Sequence, residues 1–92
     1  MLISVGAGNS DNKLTQQEWA LFVAELGGIL AVHERRRHFF GGSETYASWQ
    51  NVCWVCEIDE DKLDSLRGQL RESRLSYRQD SVCLLVGQAE FV

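Results

Sequence analysis

The sequence predicts an α+β domain, a four-stranded antiparallel sheet with two helices on one face. Three observations carry that prediction. The stretch Asn51-Val52-Cys53-Trp54-Val55-Cys56-Glu57-Ile58 is rich in β-branched and aromatic residues and apolar on both alternating sets, which suits a central strand covered on both sides. Two other stretches repeat apolar side chains at helical spacing, Trp19, Phe22, Val23, Leu26 and later Leu63, Leu66, Leu70. Shorter apolar runs, Leu2-Ile3-Ser4-Val5 and Val82-Cys83-Leu84-Leu85-Val86, lie outside them as further strands.

Size and charge bound the function. With 92 residues the chain makes one domain, residues 1–92, with no room for a second module. A domain this small buries a modest share of its surface, so association with another copy would add materially to its stability. The apolar fraction of 45% and charged fraction of 24% are those of a globular protein and exclude a disordered chain. A net charge of -4 disfavours non-specific attachment to nucleic acid or to an anionic membrane. No apolar run approaches the roughly 18 residues that span a bilayer, and Met1-Leu2-Ile3-Ser4-Val5 is too short for a signal peptide and lacks a basic start. The expected compartment is the cytoplasm, where the three cysteines stay reduced.

Taken in order, the first strand begins at Leu2 and is expected to stop in the turn formers Gly6-Ala7-Gly8-Asn9-Ser10-Asp11-Asn12. Gly6-x-Gly8 after a strand invites comparison with a dinucleotide fingerprint. Asp11 stands where the third glycine belongs and the helix starts too late, so a flexible loop is expected there rather than a phosphate cradle. Thr15-Gln16-Gln17-Glu18 is a capping box with Leu14 and Trp19 in the staple positions. A helix therefore starts at Gln16, and Gly27-Gly28 is expected to end it. Ile29 to Phe40 reads as the second strand, apolar from Ile29 to Val32 and polar from His33 to His38. Gly41-Gly42 fits a two-residue hairpin turn, which would set Arg37 opposite Tyr46, Arg35 opposite Ser48 and Ile29 opposite Trp54. The polar half would then project as a β-arm. An irregular loop over Ser43 to Gln50 is the competing reading. After the central strand, Asp59-Glu60-Asp61 places acid at a helix N-terminus, with Asp59 or Asp61 as the cap. Gly68 weakens this helix by roughly 1 kcal/mol relative to Ala, which points to a close packing contact.

The order β-α-β-β-α-β with right-handed crossovers gives a ferredoxin-like sandwich. In size and strand order the chain resembles the small nucleases of CRISPR adaptation, which usually carry an acidic residue just after the first strand. Gly6-Ala7-Gly8 occupies that place here, so the resemblance is one of architecture alone. In such a sandwich one sheet face is free of helices, and either assignment of faces leaves apolar residues on it. One set holds Leu30, Val32, Cys53, Val55, Cys83 and Leu85, the other Ile29, Val52, Trp54 and Leu84. Each Val or Leu fully buried there is worth about 2 kcal/mol, so a second copy is the expected cover, with Leu30, Val32, Cys53, Val55 and Leu85 in the interface.

Chemical motifs are weaker. Cys53-Trp54-Val55-Cys56 has the C-x-x-C spacing, but on a strand an odd separation sends the sulfurs to opposite faces, and core cysteines are expected rather than a redox pair. A zinc site would need two more ligands, so neither a metal nor a cofactor is expected. Arg35-Arg36-Arg37 is divided between the faces, and Arg67, Arg71, Arg74 and Arg78 have the acidic neighbours Asp64 and Glu72, which argues against a nucleic-acid surface. Ser43 and Ser48 have His38 nearby in sequence, without spacing that identifies a triad. The expected function is a non-enzymatic binding or interaction module, a homo-oligomer and most simply a dimer. Its interface, or a cleft beside it, would take a small molecule or a protein partner on Trp49, Tyr46, Trp54, His33 and Arg35, since aromatic and arginine side chains dominate binding sites. A small enzyme of the dimeric α+β barrel type, with His33 or His38 as acid/base, is the alternative. Nucleic-acid binding, with affinity falling steeply as salt rises, is the third reading.

Overall fold

The computed structural model describes residues 1–9, 11–44, 49–90 and 92. Along the chain run strand β1 (Leu2–Gly8), helix α1 (Gln16–His33), strands β2 (Glu34–Gly42) and β3 (Asn51–Ile58), a 3-10 turn (Glu60–Lys62), helix α2 (Leu63–Ser76) and strand β4 (Cys83–Gly87). All adjacent strands are antiparallel, and the sheet order is β2-β3-β1-β4. The α+β class, the four-stranded antiparallel sheet and the two helices are those the sequence predicts. Among the described residues no helix is long and apolar enough to cross a membrane.

The core lies between the helices and one sheet face. Ile3 and Val5 from β1 and Val52, Trp54, Cys56 and Ile58 from β3 pack with Phe22, Leu26 and Leu30 from α1 and Leu66 and Leu70 from α2. Strict alternation along β3 buries the even positions and leaves Cys53 and Val55 half-buried on the other face.

Helix α1 starts as its capping box requires. The Thr15 hydroxyl accepts from the Glu18 N–H at 3.1 Å, and the Glu18 carboxylate accepts from the Thr15 N–H at 3.0 Å. The helix does not end at Gly27-Gly28, which corrects the first expectation. Neither glycine takes a positive φ, and the buried stripe Phe22, Leu26 continues through Leu30 to His33. That burial outweighs the roughly 1 kcal/mol that each helical glycine costs. Gly27 lies where α1 crosses the Trp54 ring, 3.7 Å from the point a Cβ would occupy. Leu30 is therefore a core residue of a helix, and Val32, 76% exposed, is on a helix surface. Neither sits on the sheet face assigned to it.

Strand β2 corrects the second expectation. Gly41 and Gly42 make no turn but pair with Cys53 and Val52 inside the ladder, and Arg37 pairs with Cys56. The polar half lies along β3, so no β-arm projects. Gly42 is needed for close approach rather than for φ, because a Cβ there would collide with the Asn51 carbonyl oxygen. Tyr46 and Ser48 lie outside the described residues.

Strand β1 likewise runs through its glycines, with Gly6 paired to Cys53 and Gly8 to Asn51, which replaces the expected loop at Gly6. The chain turns instead at Asn9, which is buried. Its amide donates to the Leu14 carbonyl and to Gln50 Oε1, both at 3.1 Å, and its Oδ1 accepts from the Leu14 N–H. Gln16 and Gln50 exchange side-chain bonds of 2.7 and 3.0 Å beside it. This buried amide cluster joins the end of β1, the start of α1 and the entry to β3. Asp59 makes no side-chain cap at the other helix, which begins only at Leu63; its carboxylate meets Arg35 at 3.5 Å. Gly68 has no close contact either, since a Cβ there would have nothing within 4 Å.

Candidate functional site

The helix-free sheet face can be read from the pairing as three rows running from β2 to β4. Phe39, Val55, Ser4 and Leu85 form the middle row. Gly41, Cys53, Gly6 and Cys83 form one flank, and Arg36, Glu57, Leu2 and Gly87 the other. Phe39 is 53% exposed and Leu85 62% exposed. The Phe39 ring lies over Gly41, where a Cβ would press into it at 2.6 Å. Small residues thus flatten the face, and two large apolar side chains stand at its ends.

Beside this surface an open depression of about 590 Å³ is lined by Leu2, His38, Val55, Glu57, Gly87 and Gln88. A smaller one of about 260 Å³ continues it past Ser4 to Leu85. His38 lies on this face with Arg36, two residues before it, and the register shift between Arg37 and Phe39 puts Phe39 on the same face beside it. Its Nε2 meets Glu57 Oε1 at 3.1 Å. That hydrogen bond, with the charges of His38 and Arg36, holds the Glu57 carboxyl below the usual carboxylate range. An ionised Glu57 can only accept, so Nε2 of His38 carries the proton of this hydrogen bond.

No protein-family model matches the chain, and no curated protein matches it.

The residues singled out from the sequence do not gather into one cleft. Trp54 is in the core, with Phe40 stacked on it at a ring separation of 5.2 Å. His33 is buried between the helices: Nδ1 donates to the Ile29 carbonyl at 2.7 Å, and Nε2 is hydrogen-bonded with the Ser65 hydroxyl at 3.1 Å. With both nitrogens engaged, it is a structural residue. Arg35 lies at the Ile58 end of β3, whereas Trp49, 64% exposed, precedes the opposite end of that strand. An eight-residue strand separates them, roughly 23 Å.

Cys53 and Cys56 do fall on opposite faces. Burial, then the hydrogen bond it donates to the Glu34 carboxylate, pushes the Cys56 thiol up to about 11. Arg37 donates to the same carboxylate at 2.9 Å and to the Gly27 carbonyl at 3.2 Å, so it ties β2 to α1. Among the described residues no group of three or more His, Cys, Asp or Glu side chains could hold a metal ion. The pairing of His38 with Glu57 and the exposed Phe39 were missed from the sequence. The aromatic pair after the basic run was visible there, but the bulges that set its register were not.

Proposed function

We propose that the protein is a non-enzymatic interaction module whose helix-free sheet face binds a second copy, most simply as a homodimer. The observation that carries this reading is the pair of exposed apolar side chains, Phe39 and Leu85, standing over a flat row of small residues. Large apolar side chains left exposed on one face are features of association sites. The molecule measures 35 × 30 × 18 Å, so its broad face is large enough to hold the roughly 800 Å² that one partner contributes to a standard interface. Cys53, Val55 and Leu85 belong to that face as interface candidates; Leu30 and Val32 do not. The depression at His38 is the cleft in which a small molecule would sit. The chain order β-α-β-β-α-β, with the sheet read from its other edge as β4-β1-β3-β2, supports the finer assignment to the ferredoxin-like class. The test is the sedimentation of a Phe39→Lys/Leu85→Lys double variant, which should be monomeric with unchanged circular dichroism. A double variant that retains the wild-type mass would remove the face as the interface.

One observation favours the enzymatic alternative, a dimeric α+β barrel with His38 as acid/base: a histidine oriented by a carboxylate at the wall of a depression on the face proposed to pair. Pairing would bring two such depressions between the sheets. A small-molecule fragment screen by NMR should then perturb Leu2, Val55 and His38 together. Shifts scattered elsewhere, or none, would count against this alternative.

A further inference from the structure

The two edges of the sheet are built differently. Strand β2 carries Glu34, Arg35, Arg36 and Arg37 and two register shifts, both devices that discourage another strand from pairing. Strand β4 has neither. Cys83–Gly87 carries no charge, pairs with β1 in unbroken register and has no neighbouring strand on its outer side among the described residues. Leu85 and Val86 are exposed along it. Such an edge is a template for β-augmentation, in which main-chain hydrogen bonds supply affinity and flanking side chains supply selectivity.

The flank here is basic. On the helix side of β4 an open depression of about 250 Å³ is lined by Leu70, Val82 and Leu84, by Arg67, Arg71 and Arg74 of α2, and by Ser81 and Asp80, whose carboxylate is paired with Lys13 at 3.1 Å. Among the described residues Arg67 is paired only with the highly exposed Asp64, and Arg74 only with the Gln79 carbonyl. Arg71 has no partner among the described residues. We propose that β4 accepts an extended acidic peptide as a fifth strand, its alternate Glu or Asp side chains meeting Arg67, Arg71 and Arg74. The Arg67–Arg71 spacing matches most nearly: four helical residues rise about 6 Å, and alternate residues of a strand stand about 6.8 Å apart. Arg74, three residues on and about 4.5 Å further, is reached by its long side chain. A second copy fits this edge poorly, because β4 brings no acid and two-fold pairing would set the two arginine rows against each other. Nucleic acid would leave the main-chain donors and acceptors of β4 unused. The inference is independent of self-association through the sheet face, which leaves this edge open.

The experiment uses the whole 92-residue chain and an acetylated, amidated heptapeptide with Glu at alternate positions and Val between, followed by NMR titration. Binding should shift the Leu84–Val86 amides and the Arg71 side chain. Arg71→Glu, an exposed change that leaves the fold intact, should weaken it at least tenfold, and N-methylation of the peptide backbone should abolish it. The proposal is overturned by no binding at millimolar peptide, by equal affinity for the N-methylated peptide, or by single-stranded RNA displacing the peptide without shifting the β4 amides. A rise in dimer content on Arg71→Glu without peptide binding would also overturn it, in favour of β4 pairing with itself.

Discussion

His38 and Glu57 meet at 3.1 Å on the helix-free sheet face, where a bulge in β2 also sets Phe39 beside the imidazole. The carboxylate fixes which ring nitrogen carries the proton. Nitrogen chemical shifts of the neutral His38 ring should report the Nε2-protonated tautomer, and Glu57→Ala should shift the ring toward a mixture. Because the Glu57 carboxyl is held below its ordinary value of 4.5, its contribution to stability is complete above that pH and is lost on acidification below it. A wild-type protein showing the tautomer mixture of the variant would contradict the pairing.

Two glycines should respond to alanine with opposite signs. Gly68 sits in α2 with open space around its missing Cβ, so Gly68→Ala should stabilise by about 1 kcal/mol. Gly42→Ala would drive a methyl into the Asn51 carbonyl and should destabilise by about 1–3 kcal/mol. Urea unfolding of both variants checks the pair; a stabilising Gly42→Ala would refute the packing of β2 on the entry to β3.

Much of the fold was legible before any coordinates. The Thr15–Glu18 capping box and the alternation along Asn51–Ile58 are local patterns, and both appear as read. The failures concern glycine. Gly27-Gly28 and Gly41-Gly42 resemble a stop and a turn locally, yet each is overridden by a long-range partner, the Trp54 ring in one case and β3 in the other. The site was less legible. A register shift in β2 sets Phe39 beside His38, and no spacing rule reveals a bulge in advance.

The amide cluster at Asn9 should be a stability determinant invisible to hydrophobic patterning. Asn9→Ala strands the Leu14 N–H and carbonyl, both satisfied by Asn9 in the buried turn. The expected cost is about 1–3 kcal/mol, measured by thermal or urea unfolding. A change near zero would mean that water replaces the amide without penalty.

The three thiols should separate by reactivity. Cys83 is exposed and Cys53 half-buried, whereas Cys56 is buried and its thiol is raised to about 11. Iodoacetamide at pH 8 should modify Cys83 first and leave Cys56 untouched until the chain unfolds. The folded state holds the Cys56 proton more tightly than the unfolded chain, whose value is 9.0. That contribution to stability is therefore full below pH 9 and is lost as pH rises toward 11, a slope that Cys56→Ala should flatten. Early alkylation of native Cys56 would contradict its burial.

The account rests on the sheet face that Phe39 and Leu85 leave exposed. Sedimentation equilibrium of the wild-type chain from micromolar to millimolar concentration tests it most directly. A mass that rises from 10.4 kDa to twice that value is the predicted result, and a mass that stays at one chain across the whole range would contradict it.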